Sequence, residues 1–431
     1  MTDLQEIGKR ARAAAQETAL LSEERRTSAL CAAAEILCRE MPAILSANER
    51  DMENGRRSGM SAGMLDRLLL TEERILAMSE AVRHVAALPS PLGETLSEEI
   101  RPNGLRITKK RVPIGVIGII YEARPNVTSD AFSLCFRSGN AVILKGGSDA
   151  AHSNAAIVSA LRAALRSVSA PEDALQLLTA ADHETTRRFM RLRSYVDVLI
   201  PRGSKRLIDT VMENASVPVL ETGAGNCHIY LDESADPAKA VPIVYNAKTQ
   251  RIGVCNACES LVVHRNALPI LPAVVRKLQE KAVTVCADAE SRAFLLLRAE
   301  QEGLDSALLL PATEEDFGTE YLDYRLSIRT VGSLSEAIAH INRYSTKHSE
   351  SILTENAENA ERFLRGVDSA CVYWNASTRF TDGGEFGFGA EIGISTSRLH
   401  ARGPMGLREL CTTKYEIRGN GQCRIQGTGK Q

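Results

Sequence analysis

A chain of 431 residues exceeds one ordinary hydrophobic core, so two or three domains are expected. Hydrophobic residues at 44% and charged residues at 25% give the balance of a soluble globular protein. The 52 lysines and arginines against 54 acids leave no charge excess to draw a nucleic acid or an anionic membrane.

No apolar stretch approaches a membrane span, and Met1-Thr2-Asp3-Leu4-Gln5-Glu6 lacks the basic-then-apolar order of a secretory signal. Ten cysteines without framework spacing read as reduced thiols, so a cytoplasmic setting is expected. Residues 3 to about 88 are predicted helical, with apolar residues at three- and four-residue spacing such as Leu30, Ala33, Ile36 and Leu37. Ser22-Glu23-Glu24-Arg25 and Thr71-Glu72-Glu73-Arg74 each place a capping hydroxyl before acids, a helix start. Pro89-Ser90-Pro91 breaks the pattern. Ile100 to Ile107 then reads as a hairpin around Asn103-Gly104. Two strands alone are marginal, so this pair is expected to lean on another subunit or on the C-terminus.

From Ile114 short apolar runs alternate with helical stretches. Strands are predicted at 116–120, 142–144, 175–178, 196–200 and 217–220, with helices near 129–137, 149–168, 182–192 and 204–213. This alternation predicts an α/β fold with a parallel, doubly wound sheet whose ligands lie beyond the strands' carboxyl ends. Asn126, Lys145, Ser148, Gly203, Ser204 and Glu221 fall there. No G-x-G-x-x-G fingerprint and no Gly-Lys-Ser/Thr loop occurs. Gly203-Ser204 reads as an ordinary helix cap or as a phosphate-binding helix start. Lys145, ending a buried strand, could reach a ligand phosphate or snorkel to solvent.

Lys248 to Glu259 is the stretch around which the rest is organised. A polar approach leads to Gly253, Cys255 follows, and Leu261-Val262-Val263 reads as a buried strand. A thiol on a turn beside a rigid strand is held still yet can be reached, as a cysteine nucleophile must be. Taken alone, Cys255 also reads as a small packed hydrophobe. Cys255 and Cys258 form a single C-x-x-C; without a second pair it is poor support for zinc, and a redox pair stays open. A second α/β region follows: strands at 260–263, 283–286, 352–354 and 372–375, and helices at 268–281, 289–302 and after Ser333. A glycine-rich loop at 383–389 and an exposed alternating strand at 412–418 close the chain.

These landmarks, in order, resemble the aldehyde dehydrogenase superfamily over nearly the whole chain. They are Val112 to Gly118, Arg124-Pro125-Asn126, Gly139 to Lys145, Pro201-Arg202-Gly203-Ser204, Glu221 to His228 and Lys248 to Glu259. Tyr121 to Asn126, Glu221 to His228 and Arg398 to Pro404 are most similar to its γ-glutamyl phosphate reductase branch.

The resemblance implies a Rossmann-type cofactor domain over 1–97 and 114–224, a catalytic domain over 225–402, and a small β oligomerisation arm over 98–113 and 403–431. Cys255 takes the place of the nucleophile. Asn126 takes that of the oxyanion-binding amide, and Glu221 that of a general base which a reductase of acyl phosphates has no reason to use on water. Lys145 falls where the adenosine ribose or its 2′-phosphate is met. Ser148 replaces a ribose-binding acid, which favours NADP(H). Gly203 and Ser204 resemble the segment near the pyrophosphate, and Glu320 is similar in position to a nicotinamide-ribose ligand.

The implied activity is NADPH-dependent reduction of L-glutamyl 5-phosphate to the 5-semialdehyde through a cysteine thioester, in proline biosynthesis, with no metal. Arg124, Arg398 and Arg402 are candidates for the substrate's anionic groups, and are as readily read as salt-bridge partners. A homo-oligomer is expected, with glutamate 5-kinase as a candidate functional partner. The alternatives are a non-phosphorylating aldehyde oxidiser of the same fold, which would need Glu221, and a non-catalytic scaffold.

Overall fold

The structure, a computed structural model, describes residues 4–122, 124–179 and 182–424. Ala123 of the Tyr121 to Asn126 motif and residues 425–431 of the expected arm lie outside them. The chain divides into two compact units, one of Met1–Gly203, Asp209–Leu220 and Gly406–Gln431, the other of Ser204–Ile208 and Glu221–Met405.

The first unit opens with the helices α1 Leu4–Leu20, α2 Glu23–Arg39, α3 Met41–Arg57, α4 Ala62–Leu68 and α5 Glu72–Ala87. Both expected caps form. Ser22 Oγ accepts the Arg25 N–H at 3.3 Å and Thr71 Oγ1 accepts the Arg74 N–H at 3.2 Å, each satisfying a donor that the helix leaves unpaired. Leu30, Ala33, Ile36 and Leu37 are buried together, as their spacing requires.

The hairpin pairs β1 Thr95–Ile100 with β2 Arg106–Pro113, and Gly104 takes φ +83° in the turn. The C-terminal strand Cys411–Arg418 pairs antiparallel with β2 from end to end, so the third strand a hairpin needs comes from the far end of the chain.

Then β3 Val116–Tyr121, α6 Asn126–Arg137, β4 Ala141–Lys145, α7 Ala151–Ser167, β5 Leu175–Leu177, α8 His183–Met190, β6 Val198–Arg202 and α9 Lys205–Asn214 alternate. The strands form a parallel sheet in the order β5-β4-β3-β6. β3 and β4 are buried at every position, which is why they read as unbroken apolar runs. The order reverses at β3 and β6, and the carboxyl ends of these two strands lead to Asn126 and Gly203. The strand expected over 217–220 is only a single bridge between Val219 and Leu199. Pro218 lends its carbonyl to Leu199 N–H but has no N–H with which to extend a ladder.

The second unit contains β7 Cys227–Leu231, α10 Pro237–Thr249, β8 Cys258–His264, α11 Leu271–Gln279, β9 Thr284–Ala287, α12 Ala289–Glu302, β10 Leu309–Pro311, β11 Arg325–Val331, α13 Leu334–Tyr344, β12 Ser349–Leu353, α14 Ala357–Gly366 and β13 Cys371–Trp374. Its sheet is parallel, in the order β10-β9-β11-β8-β7-β12-β13. Sequence patterning passed over β7, α10, β11 and α14. Pro237 and Pro242 disguise α10, yet Pro237 sits in the first turn, where a missing N–H costs nothing, behind an Asp236 cap.

The strand order reverses at β7 and β12. At the carboxyl ends Asp232 is buried and closed over by Thr354, Asn359, Tyr230 and Ser234. The thiol turn lies at the opposite, amino-terminal edge, where Cys255 precedes β8 and the 221–226 segment enters β7.

Candidate active site

On the first unit Asn126, Lys145 and Gly203 lie at or just beyond the carboxyl ends of β3, β4 and β6. Asn126 begins α6, and its Nδ2 donates to Asp130 Oδ2 one turn on, at 3.0 Å. Burial pushes Asp130 up to about 6, against the pull of that hydrogen bond and of the Arg202 charge. Arg124 is exposed, and its N–H donates to Glu122 O.

Lys145, the last residue of β4, is only 8% exposed, and its ammonium donates to the Gly146 carbonyl at 2.9 Å. Burial lowers its pKa, partly offset by the charge of Asp182, the cap of α8. Its one acceptor among the described residues is thus neutral, and a buried cation so placed favours an anionic neighbour. Ser148 is exposed, at the start of a short 3₁₀ turn.

Gly203 follows β6 where a Cβ would lie 2.7 Å from the Glu122 carboxylate, so a larger residue there would displace the Glu122 side chain. Ser204 caps α9, with its Oγ accepting the Leu207 N–H at 3.4 Å.

On the second unit the thiol sits in the turn between α10 and β8. Cys255 is half-buried, and the turn closes through Ala257 N–H to Val254 O at 3.1 Å. Its main chain is fixed from behind. Cys227, the first residue of β7, donates its Sγ–H to Cys255 O at 3.1 Å. Burial holds the Cys227 thiol well above its usual pKa, so it remains a donor. Gly225 passes so close that a Cβ there would be 1.5 Å from Cys255 O.

Asn256, next to the thiol, accepts at its carbonyl from Thr378 Oγ1 at 2.8 Å and donates from Nδ2 to Thr381 O at 2.9 Å. Lys248 and Glu259, which bracket the turn, form a fully buried ion pair at 2.5 Å. Cys258 is 0% exposed and pushed up to about 12 by burial, a packed thiol rather than a reactive one.

Glu320 accepts the Gly225 N–H at 2.7 Å, which ties it to the segment behind Cys255; burial raises its pKa. Glu221 is held through its backbone, by Ser397 Oγ at its N–H and by Thr396 N–H at its carbonyl. Arg402 Nη2 lies 2.8 Å from Asp368, and Arg398 and Lys347 meet the same carboxylate. These cations hold Asp368 far below the usual carboxylate range.

Patterning placed Gly225 and Cys227 in the Glu221 to His228 motif without giving either a role, and did not single out Arg379 or the pairing of Lys248 with Glu259. The only local signal for any of them was the Gly223-Ala224-Gly225 run, where closely spaced glycines mark a close approach of backbone.

The pattern of the Aldehyde dehydrogenase family matches residues 1–293. The chain is 50% identical over 425 residues to the γ-glutamyl phosphate reductase of Bacillus cereus strain ATCC 10987, covering 98% of this chain and 100% of that one. It is 54% identical over 423 residues to the γ-glutamyl phosphate reductase of Moorella thermoacetica, covering 98% and 99%. The crystal structure of γ-glutamyl phosphate reductase from Thermotoga maritima matches with a TM-score of 0.94 at 48% identity, over 98% of this chain and 100% of that one. The chain therefore belongs to the aldehyde dehydrogenase family and, within it, to the γ-glutamyl phosphate reductases.

Proposed function

We propose that this NAD(P)-dependent enzyme works with NADPH, reducing L-glutamyl 5-phosphate to L-glutamate 5-semialdehyde and phosphate through a thioester on Cys255, the second step of proline formation from glutamate. The observation that carries the reading is the half-buried Cys255 on a turn whose carbonyl is fixed by Cys227 and Gly225, in a chain that matches reductases of that name from end to end.

The Cys255 sulfur attacks the acyl carbon. An S–C bond forms, the C–O bond to phosphorus breaks, and its electron pair leaves on the phosphate oxygen. The Cys255 N–H is assigned to the oxyanion as charge develops there, and the Asn126 amide is assigned the same role by its motif; losing one such donor typically costs about 10²–10³ in rate. NADPH, when bound, supplies the hydride. Collapse at Cys255 then frees the aldehyde and restores the thiolate.

The nearly buried Lys145 ammonium, whose hydrogen bond goes to a neutral carbonyl, supports contact with a 2′-phosphate, and Ser148 brings no carboxylate to oppose it. Gly203 and Ser204 are assigned to the pyrophosphate and Glu320 to the nicotinamide ribose. Glu221 is assigned a supporting role rather than water activation, because water would hydrolyse the thioester. Arg124, Arg398 and Arg402 are assigned to the substrate's anionic groups, with Asp368 pre-aligning the last two.

A homo-oligomer joined through the sheet of β1, β2 and the C-terminal strand is part of the reading. Tyr415 and Ile417 on that strand are 62% and 61% exposed, an apolar surface suited to a second copy. So are a cytoplasmic setting and glutamate 5-kinase as the source of the acyl phosphate.

The test is NADP⁺ reduction with L-glutamate 5-semialdehyde, with and without phosphate, in wild type and Cys255→Ala. Phosphate-dependent turnover that vanishes in the variant is expected. Turnover without phosphate would instead mark a hydrolytic oxidiser and return Glu221 to the role of base.

A further inference from the structure

We propose that Arg251 and Arg379 form the site that receives the phosphoryl group of the acyl phosphate, and inorganic phosphate in the reverse direction, beside Cys255. The inference rests on the thioester reading and adds to it a site that sequence patterning did not single out.

Arg379 is stitched to both flanks of the thiol turn. Its Nε donates to Gln250 Oε1 at 2.8 Å, on the approach to Cys255, and its carbonyl accepts from Asn256 Nδ2 at 3.4 Å, on the residue after it. Thr378, one residue earlier, is bonded to the Asn256 carbonyl. Arg379 is thereby tied to both sides of the thiol turn, where the charge of Cys255 acts on its guanidinium. Arg251 follows Gln250 directly and is exposed.

What distinguishes this pair is the lack of a neutralising acid. Among the described residues neither Arg251 nor Arg379 forms an ion pair, and the hydrogen-bond acceptor of Arg379 is a neutral amide. By contrast, Arg398 and Arg402 are both met by Asp368. Asp382, whose charge reaches Arg379, accepts the Gly384 N–H at 2.8 Å. Burial and the like charge of Arg251 both lower the Arg379 pKa, the mark of a cation in want of an anion.

Two guanidiniums offer planar forks of donors to a phosphoryl group, and their charge favours the leaving oxygen as its electron pair arrives. The substrate's two ends are then told apart: the phosphate by the arginines on the thiol turn, the carboxylate by those on Asp368.

The experiment measures the KM for phosphate in the oxidative direction, with semialdehyde and NADP⁺, for Arg251→Gln, Arg379→Gln and the conservative Arg379→Lys. Removal of one charged donor is expected to raise that KM by about tenfold or more, with the KM for NADP⁺ unmoved and partial recovery in Arg379→Lys. Arg251 is exposed, so its variant reports on the site even if Arg379→Gln disturbs folding. A burst of NADPH from wild type without phosphate reads the thioester alone. An intact burst with unchanged phosphate KM in Arg251→Gln and Arg379→Lys overturns the phosphate site. A missing burst with raised phosphate KM overturns the thioester and keeps the site.

Discussion

Replacing Gly225 by alanine puts a carbon 1.5 Å from the carbonyl oxygen of Cys255 and 2.5 Å from its Cα. Real Cβ contacts do not fall below 3.0 Å, so the two backbones must part by about 1.5 Å. Gly225 cannot simply retreat, because its N–H is held by Glu320 and the next residue, Asn226, is anchored through its N–H to Thr346 and through Nδ2 to Phe317 O and Tyr344 O. The movement is therefore expected in the Cys255 turn. A displacement of about 1 Å at a reacting group can cost on the order of 10²-fold in rate, so kcat in Gly225→Ala should fall by about a hundredfold or more. NADP⁺ affinity, read by titration in the absence of substrate, should fall only as far as Glu320, which holds the Gly225 N–H, is displaced, because Lys145 and Gly203 belong to the first unit. Steady-state turnover and thermal unfolding, measured together, separate lost positioning from lost fold. A well-folded Gly225→Ala enzyme with kcat within about threefold of wild type would refute the account of how Cys255 is held.

Lys145→Gln should raise the KM for NADP⁺ by about 10–100-fold while leaving that for NAD⁺ nearly unchanged, since only the former carries the 2′-phosphate; equal effects on both cofactors would remove Lys145 from that contact. Lys248→Met strands the Glu259 carboxylate in a fully buried place, at a cost of about 3–5 kcal/mol, to be read as a lower urea midpoint; an unchanged midpoint would show that the pair contributes nothing. Burial takes His348 down from 6.5 to about 4. A pKa depressed by folding contributes stability that is complete above about pH 6.5 and is lost as pH falls toward 4, in all about 3 kcal/mol. His348→Asn should flatten the decline of stability over that window, and urea midpoints with the same slope in both proteins would contradict it.

Local signals were enough wherever an element is set by its own residues. The caps at Ser22 and Thr71, the helix 289–302 and the apolar runs of β3 and β4 depend on neighbours a few positions away, so they could be read from spacing and residue type. The failures have physical causes of the same kind. Pro218 reduces an apolar run to one bridge, and prolines at 237 and 242 make a helix look like a break. The short β7, with His228 inside it, carries too little pattern for so central a strand.

The sequence by itself determined the α/β alternation, the turn that carries Cys255, the placing of Asn126 and Gly203 beyond strand carboxyl ends, and the order of motifs that marks the family. Only the tertiary structure decided which charges are spent and which backbones touch. Arg379 meets Gln250 across 129 residues, Cys227 meets Cys255 across 28, and Arg402 meets Asp368 across 34. A guanidinium's chemistry is the same in every arginine, and whether folding brings a carboxylate to it decides whether it meets a ligand as a free charge or as one already aligned by an acid. That depends on contacts between distant segments, which residue type and spacing do not encode locally.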